Sequence, residues 1–118
     1  MQNQGDKHHF FPRKHLQRLG YQRGKYNQIA NFVITQTEIN IAISDKAPEV
    51  YISDIVSQCK GGPKLYGGIT DQEELKRNLE MNCVPLSILD RPNIGYEDFL
   101  DERRKLMALK LKRWVESL

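Results

Sequence analysis

The stretch Asp6-Lys7-His8-His9-Phe10-Phe11-Pro12 decides how this chain is read. Two adjacent histidines sit in a short strand-like run, the phenylalanines give it an apolar body, and proline, which cannot donate to a strand ladder, ends it. Strand alternation places Asp6 and His8 on one face. Two asparagines follow: Asn31, opening Asn-Phe-Val-Ile-Thr, and Asn40, within Glu-Ile-Asn-Ile. Phe32, Val33 and Ile34 are apolar in succession, so Ile29 to Thr35 reads as a second, buried strand. Thr35-Gln-Thr-Glu38 fits the Ser/Thr-x-x-Glu capping box, in which a hydroxyl caps one backbone N–H while the glutamate reaches back to another. A helix is therefore expected from Thr35 or Thr37. It carries Asn40 early, turns Ile39 and Ile43 onto the strands, and stops before Pro48.

Between the strands, Arg13 to Asn27 is basic and polar, with Gly20 and Gly24 as breakers. His15, Leu16 and Leu19 allow one helical turn there, and the remainder reads as loop. Beyond the first helix, Glu49 to Gln58 reads as a second, with Tyr51, Ile52, Ile55 and Val56 as its apolar stripe. Lys60 to Ile69 holds four glycines and a proline and is expected to be the most mobile part. Thr70-Asp-Gln-Glu73 is another capping box, opening a helix to about Asn82 with Leu75 and Leu79 inward. Cys83 to Gly95 reads as irregular, anchored by Val84, Leu86, Ile88 and Leu89. Tyr96 to Ser117 is a long helix on which Leu100, Met107, Leu111, Trp114 and Leu118 share one face, expected to pack as core.

A chain of 118 residues is long enough for one modest core. With 39% hydrophobic and 28% charged residues it has the composition of a globular protein rather than a disordered one. No apolar run approaches the roughly 20 residues that cross a bilayer, and the polar residues 1–9 read as no signal peptide, so the expectation is a cytoplasmic protein with no membrane partner. Residues 1–5 offer little apolar body to a first strand, which points to the tail of a longer protein. Cys59 and Cys83 lie far apart with no Cys-x-x-Cys pair, which disfavours a zinc knuckle and, in a cytosolic setting, a disulfide. The net charge is only +3, but it is uneven: Lys7, Arg13, Lys14, Arg18, Arg23 and Lys25 precede Thr37 with no acidic residue after Asp6. Such a local positive field suits a polyanion; a solvated loop is the alternative.

His8-His9-Phe10-Phe11-Pro12, Ile29-Ala30-Asn31-Phe32-Val33-Ile34-Thr35, Thr37-Glu38-Ile39-Asn40-Ile41 and Lys46-Ala47-Pro48-Glu49-Val50-Tyr51 together resemble the HNH-type nucleases. These are also called His-Me finger or ββα-metal nucleases. Histidine, then asparagine before an apolar strand, then asparagine in the following helix is the order that superfamily uses. More narrowly, the chain looks like the C-terminal domain of modification-dependent restriction endonucleases. Their N-terminal half resembles a ParB/sulfiredoxin-type nucleotide-hydrolysing domain, and they end in a stretch similar to Tyr96-Glu-Asp-Phe-Leu-Asp-Glu-Arg-Arg-Lys-Leu106. The resemblance touches most of residues 6–118 and includes no nucleotide-hydrolysing domain.

The resemblance implies an α+β fold. A small ββα-metal finger, two strands plus a helix over about 6–46, is packed against several α-helices over 47–118, mostly helical overall and one domain across 1–118. It implies a metal-dependent DNA endonuclease in restriction or defence against foreign or modified DNA. DNA is then the partner, and a nucleotide-hydrolysing domain is either a missing N-terminal part or a separate subunit. His8 takes the first metal position, where the superfamily often has Asp, and Asn40 the last. Asp6 is a third ligand or an acceptor behind His8. Asn31 braces the loop between the strands and His9 is the general base. The cofactor is one divalent ion, Mg²⁺ or Mn²⁺, with Co²⁺, Ni²⁺ or Zn²⁺ favoured in vitro by the imidazole ligand.

Phosphodiester hydrolysis uses such residues because water is a weak nucleophile and charge builds on the phosphoryl and leaving oxygens. A neutral imidazole takes a proton from water near neutral pH, and a metal ion offsets the developing charge. Arg13, Lys14 and Lys46 are candidates for the DNA backbone, with solvated side chains as the alternative. Arg103 and Arg104 are expected mainly to pair with Asp101 or Glu102, and His15 to serve packing. Two other functions stay open: a non-catalytic nucleic-acid-binding module or inactive fragment of a larger restriction protein, which cleaves nothing unless joined to its missing partner domain, and a structural zinc site built from His8, His9 or His15 with a cysteine.

Overall fold

The computed structural model describes residues 5–118, with the side chains at positions 6, 36–38 and 40 outside that description. Two strands, β1 (Gly5–His9) and β2 (Phe32–Gln36), pair antiparallel from Gly5 opposite Gln36 to His9 opposite Phe32. The link between them forms two short helices, α1 (Arg13–Arg18) and α2 (Arg23–Tyr26), and a 3-10 turn at Ile29–Asn31. Helix α3 (Thr37–Ile43) leaves β2 directly and packs on both strands. Around this ββα unit lie α4 (Pro48–Cys59), α5 (Gln72–Met81), a 3-10 turn at Leu86–Leu89 and α6 (Tyr96–Glu116). The fold is α+β and mostly helical, as its strand and helix patterns imply.

The core forms where β1 ends. Phe10 and Phe11, expected to extend the strand, bend away from it instead, because both are buried and a strand sends successive side chains to opposite faces. The Phe10 ring stacks on Phe99 of α6 at 4.7 Å between centroids and meets Tyr51 of α4 edge-on at 5.7 Å. The Tyr51 hydroxyl donates to the Phe10 carbonyl, and Phe11 leans on Phe99 and Tyr96. Two neighbouring aromatics thus tie the end of β1 to both long helices.

Several elements differ in detail from their sequence patterns. Leu16 is fully buried but Leu19 faces solvent, and a second short helix stands where the sequence pattern implies loop. β2 starts at Phe32 rather than Ile29, whose side chain is exposed. Ile39, Ile43, Tyr51, Ile52, Ile55, Leu75 and Leu79 are all buried, as their spacing requires. At the start of α5 the cap is Asp71, whose carboxylate accepts from the Glu73 N–H at 3.1 Å; the helix begins one residue later than a Thr70 box demands. Of the proposed anchors in 83–95, Val84 and Ile88 are buried, whereas Leu86 is exposed.

The glycine-rich segment 60–69 is organised by the buried Gln58. Its amide donates to the carbonyls of Tyr66 (3.0 Å) and Ile69 (2.7 Å) and accepts from the N–H groups of Leu65 (2.8 Å) and Tyr66 (2.9 Å). A single side chain satisfies backbone groups that a loop cannot pair by itself. Both cysteines are free. Cys83 sits at φ 56° because α5 ends in a Schellman turn, Cys83 N–H to Glu80 O and Val84 N–H to Leu79 O. The matching position after α4 is Gly61, at φ 93°.

Helix α6 corrects the expected core stripe. Tyr96, Phe99, Leu100 and Arg103 are buried, but Leu111, Trp114 and Leu118 are 60%, 59% and 82% exposed. A 21-residue helix runs about 31 Å at 1.5 Å per residue, and the other elements cover only its first turns. Arg103 is the last buried residue of that helix. Its guanidinium donates to the carbonyls of Asn82 (2.9 and 3.1 Å), Ala30 (2.9 Å) and Phe32, so it joins α5 and α6 to the entry of β2 instead of pairing with an acid or reaching toward phosphate. Burial lowers its pKa, although a guanidinium stays charged. Arg104 pairs with Asp101 and reaches Gln28. Among the described residues no helix is long and apolar enough to cross a membrane.

Candidate functional site

Asn31 is the junction on which the site is built. It is wholly buried, and its side chain closes three hydrogen bonds to backbone on the far side of the loop. Oδ1 accepts from the Phe11 N–H at 2.8 Å, while Nδ2 donates to the carbonyls of Phe11 and Tyr26, each at 3.1 Å. Its own carbonyl accepts from Phe10 N–H at 2.7 Å. The segment leaving β1 and the segment entering β2 are thereby locked to each other, and α1 and α2 are held between them.

Beyond that junction β1 presents its histidines differently. His8 lies opposite Val33 and is buried; His9 lies opposite Phe32 and is half-buried. The His9 ring is 4.6 Å from the Phe32 ring, tilted by 50°, and its Nε2 is 2.8 Å from Oδ1 of Asn27. Lys7, two residues before His9 on the strand, places its ammonium 4.8 Å from the centre of the same Phe32 ring. Both histidines line an open cleft of about 450 Å³ between β1, the start of α1 and the end of α3. Among the described residues, Lys7, Arg13 and Lys14 contribute three cations to its walls, against one carboxylate, Asp45. Asp45 is hydrogen-bonded to Arg18, which holds its carboxyl below the usual range. The described residues of the cleft thus carry a net positive charge.

The candidate residues divide as follows. His8, His9, Arg13 and Lys14 meet at the cleft, and Asn31 supports it from within the fold. Lys46 does not join them, contrary to expectation: its ammonium donates to the Ala42 carbonyl (3.2 Å) and the Tyr66 hydroxyl (3.1 Å) and serves to hold the 60–69 segment. His15 leans on Phe11, and its burial pulls its pKa down, with Arg18 adding to the effect. The Asp6 and Asn40 side chains lie outside the described residues. The backbone pairs Asp6 with Thr35 and carries position 40 on α3, between buried Ile39 and cleft-lining Ile41.

Among the described residues no three of His, Cys, Asp and Glu converge on a common point. What is described is two imidazoles, His8 and His9, on the wall of an open cleft, whereas a closed structural zinc site takes four ligands. Sequence reading missed Asn27, eighteen positions from His9, and Ser44 and Asp45, which border the cleft after α3. No local pattern marks them, since they meet the histidines only through the tertiary fold. Compared with known proteins, the chain matches no family model, no curated protein and no solved structure.

Proposed function

We propose that this chain is a metal-dependent DNA endonuclease of the HNH type. The observation that carries the reading is the pair of adjacent histidines, one buried and one half-buried, on a strand wall of a basic cleft beside the helix that bears Asn40. Lys7, Arg13 and Lys14 bind the phosphates on either side of the scissile bond. His9 takes a proton from water as the water oxygen bonds to phosphorus. The bond from phosphorus to the 3′ oxygen breaks, and that oxygen takes its proton from solvent, leaving 5′-phosphate and 3′-hydroxyl ends. His8, with Asn40 and Asp6, is the set that would hold a divalent ion, and such an ion would offset the charge that develops during hydrolysis.

The test is nicking of supercoiled plasmid with Mg²⁺ or Mn²⁺, comparing the wild type with His9→Ala. Loss of the general base lowers cleavage by about 10²–10⁴-fold while circular dichroism stays unchanged. A folded His9→Ala chain that nicks at the wild-type rate removes His9 from the mechanism. A wild type that binds duplex DNA but never nicks it makes the chain a nucleic-acid-binding module instead.

A further inference from the structure

We infer that Asn27 is the positioning residue for His9: it fixes the imidazole in the Nε2–H tautomer and leaves Nδ1 as the nitrogen that receives the proton. This rests on the endonuclease reading for its catalytic meaning, and on the geometry alone for the tautomer. An amide oxygen only accepts hydrogen bonds, so a ring nitrogen 2.8 Å from Asn27 Oδ1 must carry hydrogen. A neutral imidazole has one N–H, so its second nitrogen holds the lone pair.

Asn27 is well placed to impose this. Its side chain is exposed, but its backbone is not loose: its N–H donates to the Arg23 carbonyl at 3.1 Å, closing α2. The preceding residue, Tyr26, is buried and held at both ends. Its carbonyl accepts from Asn31 Nδ2 at 3.1 Å and its hydroxyl from Gln17 Nε2 at 3.3 Å. A continuous set of bonds therefore runs from the buried asparagine through Tyr26 to Asn27 and on to the histidine. The His9 ring is confined on its other sides by Phe32 and, edge-on at 6.1 Å, by Tyr26.

Asn27 is also an orienter without charge. Among the described residues, Lys7, Arg13 and Lys14 line the cleft that His9 shares, with Asp45 as the acid beside them. A carboxylate at position 27 would hold the same N–H but would set a negative charge against the incoming phosphate. A neutral amide fixes the ring and leaves the positive field intact.

Two readouts test the assignment on the full chain. Long-range ¹H–¹⁵N NMR of the imidazole at mildly alkaline pH, without metal or DNA, reports which nitrogen carries hydrogen. Wild type and Asn27→Asp should both show His9 as Nε2–H, and Asn27→Ala should lose that preference. Single-turnover plasmid nicking should fall about 10–100-fold in Asn27→Ala, taking the range for partners that orient metal-bound histidines as the guide. Duplex affinity in that variant should stay within about twofold of wild type, as expected for loss of a neutral side chain. Asn27→Asp should recover most of the rate at saturating DNA while needing more DNA to saturate. An Asn27→Ala chain that keeps the Nε2–H tautomer and nicks at the wild-type rate overturns the inference. If the wild type never nicks, the endonuclease reading and the catalytic role of Asn27 fall together, while the NMR comparison still decides whether Asn27 sets the ring.

Discussion

Replacing Asn31 by alanine should cost this protein about 3–5 kcal/mol. The side chain is fully buried and answers three backbone groups: the N–H and carbonyl of Phe11 and the carbonyl of Tyr26. A buried polar group left without a partner costs about 1–3 kcal/mol, and the three penalties are not fully additive because a water can enter the space the amide leaves. The total is comparable to a large part of the roughly 5–15 kcal/mol that holds an ordinary domain together. Asn31→Asp is the sharper probe, being nearly isosteric. Its carboxylate keeps the bond from Phe11 N–H but turns an oxygen toward two carbonyls, so the folded protein favours the protonated acid and raises its pKa above the unfolded value near 3.9. The folded state then binds more protons than the unfolded state between those two values, so the penalty is small in acid and grows as pH rises. Urea unfolding followed by far-ultraviolet circular dichroism measures both variants. Trp114 is a poor reporter, since it is 59% exposed on the uncovered end of α6. A cost below about 1 kcal/mol for Asn31→Ala, or an Asp penalty equal in acid and at neutral pH, would refute the view that these bonds close the fold.

Changing Arg13 and Lys14 together to alanine should weaken duplex binding and reduce the salt slope by about two, one for each cation withdrawn from the phosphates; a slope equal to wild type places both side chains in solvent. Cys83→Gly should stabilise the fold by about 0.5–1 kcal/mol, because relief of the left-handed conformation exceeds glycine's extra freedom in the unfolded chain. Loss of stability in urea titration would show that the thiol's packing outweighs the backbone term. For His15 the folded-state pKa is lowered, so the unfolded chain binds protons first as pH falls, and stability should drop with acid at and just below pH 6.5. His15→Gln should flatten that part of the stability profile, and an unchanged slope assigns it to other groups.

The amphipathic spacing of α3, α4 and α5 was legible in the chain because each lays its apolar residues at intervals of three and four, and Ile39, Ile43, Tyr51, Ile52, Ile55, Leu75 and Leu79 are all buried. The two strands and their order relative to α3 were legible for the same local reason, and so were the histidines and cations that meet at the cleft. Tertiary structure decided what such patterns leave open. Periodicity says which residues share a face but not whether anything covers it, so the stripe from Leu100 to Leu118 is core at one end and bare at the other. Composition marks a lysine or arginine as charged but not where its donors go. Lys46 is bound to Tyr66, and Arg103 is buried among carbonyls from the entry to β2 and the end of α5. A glycine-rich stretch reads as free until the glutamine just before it, Gln58, is folded against it. The bond from His9 to Asn27 belongs to the same class, since eighteen residues separate the partners and two short helices must form before they meet. Hydrogen bonds are short-ranged and directional, so a linear sequence names the groups that can make them, and only the packed backbone selects the pairs.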